Sequence, residues 1–191
     1  MNATQIRKMK KEISFLKNKN HCSDRSENLC KSFSPNIDNR SQILILGSMP
    51  GIKSLEEKQY YAHPQNRFWK LMGLFCNTEN LHTKSYSQKL QILLQNGFAL
   101  WDVLQSCNRN GSLDSNIQNE IPNNIPQLLK QYNNIKIICL NGNKAYSAFK
   151  KHFPNLSDKY ICYKLPSTSP ANAKYKLEDL YKEWNNAFLE K

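Results

Sequence analysis

The chain has no Gly-x-x-x-x-Gly-Lys-Ser/Thr loop, no Gly-x-Gly-x-x-Gly and no Gly-x-Ser-x-Gly. The usual signatures of nucleotide hydrolysis, dinucleotide binding and serine hydrolysis are therefore missing. Its six cysteines (Cys22, Cys30, Cys76, Cys107, Cys139 and Cys162) form no Cys-x-x-Cys pair, and its four histidines (His21, His63, His82 and His152) are dispersed. No zinc or iron–sulfur site is expected, and the thiols read as reduced and mostly buried. No run is long and apolar enough to cross a membrane, and the N-terminus lacks the apolar core of a signal peptide. A soluble, intracellular, cytoplasmic protein is the expectation. Acidic residues are also scarce: 15 against 27 Lys and Arg leave a net charge of +12 and a pI near 9.4. Such a balance favours a polyanionic partner, either nucleic acid or an anionic membrane surface.

What is present suits one domain with a proper core. Residues 1–40 read as a basic, partly ordered extension, with nine Lys or Arg against four acids. Ile6, Met9, Ile13 and Leu16 recur at helical spacing, while 18–40 is polar and expected to be loosely ordered. The extension reads equally as a DNA-binding arm or as dispensable. Beyond it, over 41–191, strand signals at 42–46, 98–101, 135–140 and 160–164 alternate with helix signals. The helices are expected near 66–76, 86–96 and 123–132, through Ala145, Phe149 and Phe153, and at 174–189. This alternation predicts an α/β fold, three-layer α/β/α with a central four-stranded parallel sheet. Each strand ends in unusual residues: Gly47-Ser48-Met49-Pro50, Trp101-Asp102, Asn141-Gly142-Asn143 and Pro166-Ser167-Thr168-Ser169-Pro170. In a parallel sheet all four clusters share one edge and can line one pocket.

The run Ile43-Leu44-Ile45-Leu46-Gly47-Ser48-Met49-Pro50-Gly51 reads as a buried strand ending in a tight turn, followed closely by Gln59-Tyr60-Tyr61-Ala62-His63-Pro64-Gln65-Asn66-Arg67-Phe68-Trp69. Together with Leu165-Pro166-Ser167-Thr168-Ser169-Pro170-Ala171, these stretches resemble the hypoxanthine-DNA glycosylase branch of the uracil-DNA glycosylase superfamily. The resemblance spans roughly 41–189 and implies a monofunctional glycosylase that needs no metal or cofactor. It would hydrolyse the N-glycosidic bond of a deaminated base in DNA, foremost hypoxanthine, and work as a monomer. A uracil-type glycosylase on the same fold and a non-catalytic nucleic-acid-binding module are the alternatives.

The resemblance also distributes roles. Ser48 and Met49 supply backbone donors near the sugar and base, and Tyr60 or Tyr61 stacks on the base. Asn66 takes the catalytic place that other branches give to an Asp or Asn inside the first motif. An amide is no general base, so its task is to orient water and contact the sugar or base; without the resemblance, helix capping is an even reading. Asp102 is placed to read a base edge or to cap the following loop, Asn141 to line the pocket or form a turn, and His63 to stabilise the departing base or to hold the loop. Ser167, Thr168 and Ser169 are placed to grip phosphate. Where better-known branches carry a bulky apolar wedge, this chain has Ala171-Asn172-Ala173, which favours single-stranded or mismatched DNA.

Overall fold

Ile43, Leu44, Ile45 and Leu46 are all fully buried, as four consecutive branched residues must be when both faces of a strand are covered. A computed structural model describes residues 28–189 and shows what covers them. In chain order the strands are β1 (Leu29–Lys31), β2 (Ile43–Gly47), β3 (Phe98–Asp102), β4 (Leu104–Asn108), β5 (Gln118–Pro122), β6 (Ile137–Asn141) and β7 (Ile161–Leu165). The helices are α1 (Ile52–Glu57), α2 (Phe68–Phe75), α3 (Tyr86–Gln95), α4 (Ile125–Gln131), α5 (Asn143–His152) and α6 (Leu177–Phe188).

Strands β3, β2, β6 and β7 form, in that order, an all-parallel sheet. Side chains alternate across it. Ile43 and Ile45 join Phe68, Met72, Leu93, Leu180 and Trp184 of α2, α3 and α6, whereas Leu44 and Leu46 join Ile125, Leu129, Ala145 and Phe149 of α4 and α5. The three-layer α/β/α arrangement predicted from the alternation is therefore present. Parallel pairing sets Gly47 opposite Asp102 and Asn141 opposite Leu165, so the strand ends share one edge.

Three elements depart from the sequence reading. Helix α1 was not expected, being only six residues long. A second, antiparallel sheet, β1-β4-β5, stands where a long polar loop was expected. Its strands are short, and β5 is polar and mostly exposed, so they lack the period-2 alternation by which a strand is read. Third, the segment 28–40, assigned to the loosely ordered extension, is built into the fold. β1 pairs with β4, and Asn36 exchanges two backbone hydrogen bonds of 2.9 Å with Leu100 on the open edge of β3. Edge pairing uses backbone groups, and so leaves little trace in side-chain pattern. The amphipathic stretch Ile6–Leu16 lies outside the described residues.

Candidate active site

The parallel edge opens into a cleft of about 1190 Å³ that brings together Ser48, Met49, Tyr61, His63, Asn66, Asp102, Asn141 and the 167–169 segment. Its floor is the turn after β2. A Cβ on Gly47 would lie 2.6 Å from the Asp102 carboxylate and 3.2 Å from the Tyr61 hydroxyl. Glycine is required there because any side chain would displace one of them. Ser48 is buried and donates its hydroxyl to Asp114 at 2.7 Å. Met49 packs into the core beneath the turn, and its N–H has no acceptor among the described residues.

The two tyrosines part company. Tyr60 is 3 % exposed, with its ring edge-on to Phe33 in the core, so it offers no free face to a ligand. Tyr61 takes a left-handed backbone conformation (φ 54°) and stacks on Phe68 with ring centroids 3.9 Å apart. Burial pushes the hydroxyl of each well above the usual tyrosine range.

Asn66 ends the aromatic loop. The cap of α2 falls at Arg67 and carries no side-chain bond, so Asn66 does not cap the helix; its Oδ1 instead accepts the Phe68 N–H at 3.0 Å in a local turn, and its amide NH₂ remains the free end. His63 is exposed, and its Nδ1 accepts the Gln65 N–H at 3.2 Å, a bond that shapes the loop. Asn141 is fully engaged: Nδ2 donates to the Tyr61 hydroxyl at 3.0 Å and to Thr168 Oγ1 at 3.1 Å, while Oδ1 accepts the Thr168 N–H at 3.0 Å. Asn141 thus fastens the base of the cleft together. Thr168 is completely buried, so its hydroxyl faces Asn141 and not solvent, unlike the half-exposed Ser167 and Ser169 beside it.

Asp102 is 3 % exposed. Burial pushes its carboxyl up to about 7, against the opposing pull of the Ser32 hydroxyl, which donates to Oδ2 at 2.7 Å, and of the Arg109 guanidinium.

Sequence reasoning missed four residues here. Ser32 belongs to the segment set aside as an extension. Arg67 donates from its guanidinium to the carbonyls of Thr168, Ser169, Asn172 and Tyr175, tying the Asn66 loop to the 167–175 segment. Its place directly after Asn66 was the available clue. Arg109 is 4 % exposed and donates to the Pro50 carbonyl beneath the turn. Asp114 faces the cleft from a polar loop that carried no signal at all.

An α/β/α domain with a polar-aromatic cleft outside its strand ends, on a strongly basic chain, is suited to holding a nucleobase. Residues 34–189 match the Uracil DNA glycosylase superfamily, and the chain belongs to that family. It is similar to a hypoxanthine DNA glycosylase of Methanosarcina acetivorans, at 36 % identity over 83 % of this chain and 97 % of the relative. A hypoxanthine DNA glycosylase of Methanosarcina barkeri is 39 % identical over 60 % of this chain and 72 % of its own length. Among solved structures, a candidate uracil DNA glycosylase of Methanosarcina acetivorans, determined in solution, superposes with a TM-score of 0.73 at 34 % identity. That superposition covers 84 % of this chain and 96 % of the other. Among the described residues, no helix is long and apolar enough to cross a membrane, and no group of three or more His, Cys, Asp or Glu could hold a metal ion.

Proposed function

We propose that this protein is a monofunctional DNA glycosylase that removes hypoxanthine from deoxyinosine in DNA, as a monomer within the cell. The observation that carries the reading is the convergence of the Ser48–Met49 turn, Tyr61, Asn66 and the 167–169 segment on one cleft, in a chain similar over nearly the full length of a hypoxanthine DNA glycosylase.

Each part has a task in N-glycosidic hydrolysis, where positive charge develops on the sugar and negative charge on the departing base. Tyr61, backed by Phe68, offers its remaining ring face to the flipped base, a role its buried neighbour Tyr60 leaves to it. The Met49 N–H is available to a developing negative charge on the base, and preorganised donors of this kind cost no reorganisation during the reaction. The Asn66 NH₂, held by the Oδ1 bond to Phe68, orients the attacking water. Ser167 and Ser169, with Lys164 and Lys174 on the same cleft, receive the flanking phosphates, and Thr168 supports them from behind through Asn141. Asp102 and His63 shape the base end of the cleft. Uracil excision is the second reading, favoured by the similarity to the candidate uracil DNA glycosylase.

The test is release of free base from oligonucleotides carrying a single deoxyinosine or a single deoxyuridine. Faster release of hypoxanthine is expected. Release of uracil alone selects the second reading, and binding without release of either base rejects the enzyme.

A further inference from the structure

Hydrolysis by water requires a proton acceptor, and the residue given the water-orienting task cannot be one. Asn66 is an amide, and its Oδ1 is already occupied by the Phe68 N–H. The turn after β2, Gly47-Ser48-Met49-Pro50, contains no carboxylate. The cleft is lined by three: Asp102, Asp114 and Glu183.

Two of these are poorly placed. Asp102 is enclosed, with Oδ2 bound to Ser32 and Oδ1 occupying the space that a side chain on Gly47 would need. Its carboxyl, pushed up to about 7, is also largely protonated below neutrality. Glu183 lies on α6, and among the described residues no hydrogen bond joins it to the turn. Asp114 differs on both counts. Its residue is exposed to the cleft, and its Oδ1 accepts the Ser48 hydroxyl at 2.7 Å, which fixes the carboxylate beside the turn. Oδ2 carries no hydrogen bond among the described residues and is free to accept one.

We infer that Asp114 is the catalytic base of this cleft, held in place by Ser48 and taking a proton from the water that Asn66 orients. The inference rests on the glycosylase reading above. In the step it describes, the water oxygen bonds to the sugar C1′ as the C1′–N9 bond breaks and its electron pair leaves with the base. One water proton passes to Asp114 Oδ2, and the base anion is reprotonated from solvent. A free base and an abasic sugar result, and Asp114 then returns its proton to solvent. The same carboxylate, while ionised, favours the positive charge that develops on the sugar.

The surroundings also act on the proton affinity of this group. The cleft walls raise its carboxyl above the usual carboxylate range although the residue itself is exposed; the Ser48 hydroxyl, Arg109 from the end of β4 and Lys144 from α5 oppose that rise. Asp102 and Tyr61 are the other titratable groups whose charges couple to it, and His63 lines the same cleft. Excision should therefore show an acid limb, rising as Asp114 loses its proton.

The experiment is single-turnover release of hypoxanthine by wild type, Asp114→Asn and Ser48→Ala across pH 4.5–9, with DNA binding and thermal unfolding measured in parallel. Wild type that releases no deaminated base defeats the glycosylase reading, and the inference falls with it. With wild type active, Asp114→Asn is expected to bind the substrate normally, lose about 10²-fold or more in rate and lose the acid limb. Ser48→Ala, lacking the hydroxyl that favours the ionised form, should shift the limb to higher pH. A folded Asp114→Asn protein that releases hypoxanthine within threefold of wild type overturns the inference while leaving the glycosylase reading standing. Should Asp114→Asn not fold, an unmoved limb in Ser48→Ala overturns it equally.

Discussion

Asn66 shows how one side chain serves both structure and chemistry. Its carbonyl oxygen accepts the Phe68 N–H in the turn that leads into α2 and so aims its amide NH₂. Asn66→Ala should cost about 1 kcal/mol of stability, the ordinary net value of one lost hydrogen bond. Single-turnover excision should fall roughly 10²–10³-fold with DNA binding nearly kept, because an oriented contact acts mainly in the transition state. Excision at the wild-type rate would remove Asn66 from the chemistry. Asp102 makes a different prediction, about pH. Its carboxyl rises from 3.8 to about 7 on folding, so the folded chain binds the proton more tightly than the unfolded one. That contribution to stability is fully present below about pH 4 and is lost as pH rises through 7, by up to about 1.4 kcal/mol per pH unit. Asp114, shifted the same way, adds to the trend. Thermal unfolding at pH 5 and pH 8 should show the wild type less stable at pH 8. In Asp102→Asn, which cannot ionise, the gap should narrow.

At the scale of elements, the cleft depends on how two loops are held. Arg67 opens α2 and reaches four carbonyls of the 168–175 segment, a fork of donors that a lysine ammonium cannot reproduce. Trp184 of α6 holds the chain just ahead of this segment, donating to the Pro166 carbonyl at 3.0 Å. Arg67→Lys should leave the domain folded but loosen the phosphate-facing segment, lowering kcat/KM by about 10–10²-fold, mostly through KM. An unchanged KM would place the segment outside DNA binding. On the other side of the sheet, Glu120 of β5 is anchored by Lys144, Lys151 and His152 of α5. Burial would raise its carboxyl, but those partners, Lys144 foremost, bring it down to about 2. These contacts thus dock the small sheet that leads into Arg109 and the Asp114 loop.

For the whole molecule, charge and chain boundary matter most. With a net charge of +12, DNA binding should lose on the order of 10³ in affinity between low and moderate salt if about six phosphates are contacted. A flat salt titration would count against the DNA reading. The boundary prediction follows from β1. Removing residues 1–27 leaves every described residue of the cleft in place, and excision should persist. Removing 1–40 strips β1 from β4, Asn36 from the edge of β3 and Ser32 from Asp102, so a loss of stability visible in thermal unfolding is expected.

The sequence by itself determined the parallel sheet, the order of its helices and the edge on which the cleft lies. These follow from runs such as Ile43–Leu46 and from the residues that end each strand, and both are local signals carried by side-chain pattern. It also placed the Ser48–Met49 turn and the 167–169 segment near one another, because parallel strands must bring their ends together. Only the tertiary structure decided which candidates face the cleft. Tyr60 and Tyr61 are adjacent and alike in sequence, yet a left-handed backbone at Tyr61 turns one ring toward the site while the other fills the core. Thr168 and Asn141 look like ligand-binding polar residues until each is seen to satisfy the other. Ser32, Arg67, Arg109 and Asp114 act through partners between 59 and 108 residues away, several of them backbone carbonyls, and contacts of that kind have no periodicity to read.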